Sequence, residues 1–96
     1  MTVTLINPFE VSAATADEDF LGGWEQAADY MRQQPGFVST RLHRALAPDA
    51  RFRFINVAEW ASPQEFQAAV GSERFREIAK RAGPSSPALY EVVRSL

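Results

Sequence analysis

A chain of 96 residues with 46% hydrophobic, 23% charged and 11% aromatic content is the size of one small soluble domain spanning 1–96, since chains this short seldom hold two separate cores. Ten Lys and Arg against twelve Asp and Glu leave a net charge of -2, a field that repels a phosphate backbone and argues against a nucleic-acid partner. The absence of cysteine excludes disulfides, thiolate nucleophiles and Cys-ligated metal centres. The stretch from Met1 to Pro8 lacks a basic region followed by an apolar one, and no apolar run approaches the roughly 18 residues that span a bilayer. The expectation is a cytoplasmic protein with no membrane partner. A chain of this size buries only about 60–65% of its unfolded surface, so its apolar content predicts surface left over for a second copy of itself.

Residues 3–11 place Val3, Leu5, Asn7, Phe9 and Val11 on one face and Thr4, Ile6, Pro8 and Glu10 on the other, the alternation of a strand. Pro8 cannot donate to a ladder and asks for an edge or a bulge. From about Asp17 to Gln34, Phe20, Leu21, Trp24, Ala27, Ala28 and Met31 form the apolar stripe of a helix, with Asp17, Glu18 and Asp19 in its first turn. Gly22-Gly23 within it costs about 1 kcal/mol per glycine relative to Ala. The pair serves either a close approach to the sheet or a ligand, or is tolerated by a well-packed helix.

Pro35-Gly36 ends that helix. Residues 37–45 read as a strand with Phe37, Ser39, Arg41 and His43 opposite Val38, Thr40, Leu42 and Arg44, and Pro48-Asp49 marks the turn of a hairpin. The returning strand, Arg51 to Trp60, sets Phe52, Phe54, Asn56, Ala58 and Trp60 on one face. Ser62-Pro63-Gln64-Glu65 is a capping box with proline in the first helical turn. Gly71-Ser72 interrupts the helix it opens, Ser72 caps a second piece through Phe75, Ile78 and Ala82, and Gly83-Pro84 ends it. Residues 88–96 alternate as a last strand. The order β-α-β-β-α-β predicts a ferredoxin-like α+β fold: a four-stranded antiparallel sheet with helices on one face. Its second face also carries Ile, Val and Leu, so face-to-face homodimerisation is expected.

Gln34-Pro35-Gly36-Phe37-Val38, Asn56-Val57-Ala58-Glu59-Trp60 and Ser62-Pro63-Gln64-Glu65-Phe66, set in this element order, resemble the antibiotic biosynthesis monooxygenase family. The resemblance covers nearly the whole chain and implies a dimeric α/β barrel of ferredoxin-like subunits. Asn56 and Trp60 look like the Asn and Trp of cofactor-free anthrone oxygenases, in which a Tyr on the following helix joins them; here that position is Phe66. Asn7 looks like the first-strand Asn of haem-degrading relatives, but the Trp and His those enzymes use correspond to Ala69 and Ala79, so the axial histidine is missing.

Four residues apart on a strand, Asn56 and Trp60 share a face at roughly 13 Å. An amide and an indole N–H suit a developing anion, and an indole stacks on a flat ring. Equally, the Trp can be a packing anchor and the Asn a cross-strand hydrogen bonder. Asn7 interrupts an apolar face and needs a partner. His43, the single histidine, is of a type that titrates near neutral pH and is a candidate base, or else a solvated or interface residue beside the arginines 41, 44, 51 and 53. No His/Asp/Glu set completes a metal site.

The resemblance, with these residues in place, implies a homodimeric monooxygenase that oxidises a planar aromatic or polyketide-like molecule with O2, with no metal or bound cofactor and with neither haem nor reduced flavin favoured. Asn56, Trp60 and His43 are the catalytic candidates, and Asn7, Phe9, Phe52, Phe54 and Phe66 the substrate-binding ones. Two other functions fit the fold: a haem-binding or haem-degrading protein, and a non-catalytic dimeric small-molecule-binding module whose pocket is packed shut by Phe9, Phe52, Phe54, Trp60 and Phe66.

Overall fold

The computed structural model describes residues 2–96; Met1, the first residue of the stretch read for a leader, lies outside them. Seven elements follow in order: β1 (Val3–Phe9), α1 (Asp17–Met31), β2 (Phe37–Arg44), β3 (Phe54–Trp60), α2 (Pro63–Val70), α3 (Glu73–Ala79) and β4 (Ala88–Tyr90). The strands form one antiparallel sheet ordered β2-β3-β1-β4, the ferredoxin-like arrangement. The face of Val3, Leu5, Phe9, Phe54, Ala58 and Trp60 is buried against the helices.

The helix boundaries follow from local chemistry. Ser62 Oγ accepts from the Glu65 amide at 3.2 Å and donates to Glu65 Oε1 at 3.0 Å, closing the first turn of α2. Ser72 Oγ accepts from the Phe75 amide at 3.1 Å and so caps α3. α1 ends earlier than its stripe predicts, at Met31, and Gln33 and Gln34 continue as turns. Its N-terminus is pinned by Asp17, whose carboxylate meets Arg44 at 3.0 Å and Arg53 at 3.6 Å. That contact gives the hairpin arginines 44 and 53 a structural task. The Gly22-Gly23 pair faces Arg81, not the sheet: a Cβ on Gly23 would lie 3.5 Å from the Arg81 Cγ and carbonyl oxygen. These are ordinary van der Waals distances, so a methyl group would fit at either position and the pair is one that a well-packed helix tolerates.

Four expectations need correction. β1 is a central strand, so Pro8 is not on an edge of the sheet. Its carbonyl accepts from Ser86 N at 3.1 Å, so its ring nitrogen faces the same flank, beyond the three residues of β1 that β4 pairs. The strand expected over 88–96 stops at Tyr90, because Tyr90 already pairs with Thr4 near the start of β1 and little partner strand remains. The strand expected from Arg51 begins only at Phe54. Last, a bulge between Phe37 and Ser39 resets the alternation of β2, so that Phe37 shares the helix-facing side with Thr40 and Leu42 while Ser39, Arg41 and His43 take the other.

Gly36 adopts φ +87°, and a Cβ there would fall 2.5 Å from Glu65 Cβ. The turn into β2 thus fits against the capping box of α2. Gly36→Ala is expected to lower stability by about 2 kcal/mol or more, read as a reduced urea midpoint with an unchanged m-value.

Candidate active site

Between sheet and helices lies a cavity of about 260 Å3. Its floor is the buried sheet face, including Asn7, Thr40, Asn56 and Trp60; its roof is Trp24, Ala28 and Met31 of α1, with Phe66, Val70, Phe75 and Ala79 of α2 and α3. The stripe of α1 therefore serves both as core and as ceiling. The volume lies just below the about 300–1,000 Å3 usual for ligand pockets.

Asn7 and Asn56 are direct cross-strand partners in the β1–β3 register. Asn56 is 9% exposed, and its Oδ1 accepts from Thr40 Oγ1 at 2.6 Å. Asn7 Oδ1 is buried with no hydrogen-bond partner among the described residues, a rare condition for a carbonyl in a folded chain. Trp60 is 1% exposed and stands edge-on to Phe37 and Phe66, both at 5.5 Å between ring centroids. It is a packing anchor and a cavity wall at once. Phe66 supplies a ring but no hydroxyl at the place where the resemblance implies a Tyr.

The predicted residues do not all meet. Asn7, Phe9, Asn56, Trp60 and Phe66 line the cavity. Phe54 is 2% exposed and stacks on Phe20 at 4.5 Å in the core. Phe52 lies outside, in a shallow depression with His43, Arg51 and Ile55, where the Arg51 guanidinium sits 5.0 Å from its ring. His43 is exposed and pairs with Ile55 on the helix-free side of the sheet, so the sheet separates it from Asn56. Thr40 is the residue that sequence reasoning missed, since simple alternation sets it opposite Phe37 and only the bulge brings them to one side.

No lining residue is of a type that ionises near neutral pH, and no His, Cys or Tyr reaches the cavity. Among the described residues no group of three or more His, Cys, Asp or Glu is placed to hold a metal, and no helix is long and apolar enough to cross a membrane. The arrangement can enclose a flat apolar molecule and present amide groups to its oxygens. Because Asn7 carries an orphaned acceptor, Asn7→Leu, which keeps its branched outline, is expected to raise stability by about 1 kcal/mol; thermal unfolding measures it.

Comparison with known proteins agrees with this architecture. No curated protein matches the sequence. The crystal structure of a candidate monooxygenase from Shewanella loihica PV-4 superposes with a TM-score of 0.86 at 40% identity, covering 98% of this chain and 96% of that one. SnoaB, a cofactor-independent oxygenase from Streptomyces nogalater, gives 0.83 at 26% identity over 99% and 96%. The model of the antibiotic biosynthesis monooxygenase family matches residues 2–81. With the fold, the covered length and the 40% identical structure in agreement, the chain belongs to the antibiotic biosynthesis monooxygenase family.

Proposed function

We propose that this protein is a cofactor-independent oxygenase that converts a planar phenolic or anthrone-type molecule to a quinone with O2. The observation that carries the reading is the facing pair Asn7 and Asn56 inside a mostly apolar cavity walled by Trp60. Likeness to SnoaB, described as a cofactor-independent oxygenase, supports the absence of a cofactor. Asn56 binds the substrate oxygen on which negative charge develops, Trp60 stacks beside the ring, and Asn7 accepts from a substrate hydroxyl. Phe9 and Phe66 complete the apolar wall.

With no ionisable group in the cavity, the substrate's own acidity starts the reaction. Its activated CH2 loses a proton to water, and amide donors hold the resulting enolate. The carbanion passes one electron to O2, and the radical and superoxide combine into a C–O bond. Protonation gives a hydroperoxide. Loss of water from it leaves C=O, so that one CH2 and one O2 become one carbonyl and one water. The protein supplies orientation, anion stabilisation and exclusion of bulk water.

The working unit is proposed to be a cytoplasmic homodimer, with one cavity in each copy. The helix-free sheet face carries Ile6, Ile55 and Val57, and beside it Tyr90, Val92 and Val93 are 52%, 76% and 71% exposed. Such a patch favours burial against a second copy.

Anthrone oxidation followed by oxygen uptake is expected to fall on the order of 10²-fold in Asn56→Ala and less in Trp60→Phe; unchanged turnover in both would overturn these roles. The rate is expected to rise with pH along the ionisation of the bound substrate, with the same inflection in His43→Ala. Hemin is expected to give no specific Soret shift, which a titration decides. Size-exclusion chromatography with light scattering should return twice the chain mass of 10.7 kDa.

A further inference from the structure

An asparagine amide is ambiguous as a catalytic group. Its carboxamide torsion is broad and roughly two-fold, so an unpinned side chain shows a cavity either a carbonyl oxygen or an NH2 group. Only the second stabilises an oxygen anion. The first, next to the orphaned Oδ1 of Asn7 directly across the strand pair, would give the site two acceptors and repel the same anion.

One hydrogen bond in the structure bears on this ambiguity. We propose that Thr40 is a positioning residue: its hydroxyl, donating to Asn56 Oδ1 at 2.6 Å, holds the carbonyl end aside and turns Nδ2 toward the substrate. This bond is the only one formed by the Asn56 side chain among the described residues, so nothing else fixes the amide. Thr40 itself is well held. It pairs with Ala58, two residues along β3 from Asn56, and its branched side chain has few rotamers on a strand. It reaches the cavity because the bulge between Phe37 and Ser39 turns it to the helix-facing side. The bulge therefore determines which end of the Asn56 amide the cavity receives.

This assignment rests on the oxygenase reading above, and its test separates the two. In Thr40→Val, which keeps shape but cannot donate, kcat for anthrone oxidation is expected to fall about tenfold with KM little changed, less than the ~10²–10³-fold lost when such a donor is removed outright. Thr40→Ser, which restores the hydroxyl, is expected to recover it, and Thr40→Val is expected to have no further effect in an Asn56→Ala background. A second readout does not need turnover. 7-Hydroxycoumarin, a flat phenol whose fluorescence distinguishes phenol from phenolate, is expected to ionise about one pH unit higher when bound to Thr40→Val than when bound to wild type or Thr40→Ser.

Equal ionisation and equal kcat in wild type and Thr40→Val would overturn the positioning role and leave the oxygenase reading standing. A wild type that binds the coumarin but leaves anthrone untouched would overturn the oxygenase reading, while the ionisation difference still decides the role of Thr40. A wild type that does neither overturns both. If Thr40→Val fails to fold by circular dichroism, Thr40→Ala carries the same comparisons.

Discussion

The antiparallel register of β1 on β3 is the constraint on which the rest depends. Along the helix-facing side it stacks Phe9 on Phe54, Asn7 on Asn56, Leu5 on Ala58 and Val3 on Trp60. The apolar pairs at the two ends seed two core clusters, one around Phe9, Phe20 and Phe54 and the other around Val3, Leu5, Ala58, Trp60 and Ala69. The amide pair falls between them. A slip of one residue would turn every member to the opposite side and leave neither cluster nor cavity. The hydrophobic effect that fixes the register thereby also fixes the position of the polar pair, with no separate device required.

Core and cavity share a wall. Trp60 and Phe66 belong to one cluster and line the open space, and Phe9 does the same in the other. Close packing of interiors makes an unfilled volume costly, and here the cost is contained because rigid aromatic edges on both sides keep the helices from collapsing onto the amides. The division of the second helical segment into α2 and α3 helps. Tyr30 Oη meets Ser72 Oγ at 2.5 Å and the Ala69 carbonyl at 3.4 Å, tying the joint to α1 and holding Val70 and Phe75 as separate parts of one ceiling.

The fold was legible in the sequence where physical signals are local. Alternation marks β1 and β3, a capping box opens α2, and a serine caps α3, so the residue pattern alone sets Asn56 and Trp60 on one face. What was not legible depends on partners or on backbone events. Nothing in the residue types from Phe37 to Arg44 announces the bulge, and with it went the correct side for Thr40 and His43. The alternation of residues 88–96 is as regular as that of a true strand, yet only three of them find a partner. Phe52 obeys the same alternation as Phe54, but it precedes the point where β3 begins. The α1 stripe was read correctly as the apolar side of a helix, of which Phe20 is buried and Leu21, Trp24, Ala27, Ala28 and Met31 are partly buried. That it roofs a cavity is a property of the gap between two layers, which one element cannot reveal.

The glycine at position 23 has a consequence for how such proteins can diverge. A methyl group there would sit in ordinary contact with Arg81, at 3.5 Å, and a longer side chain would reach toward the segment that follows α3. Ala82 and Gly83, next along that segment, line the cavity. The width of the cavity can thus be adjusted from a residue that does not line it, leaving the amides and the indole undisturbed. In a scaffold whose walls double as its core, this gives the shape of the cavity a route of change independent of its polar groups.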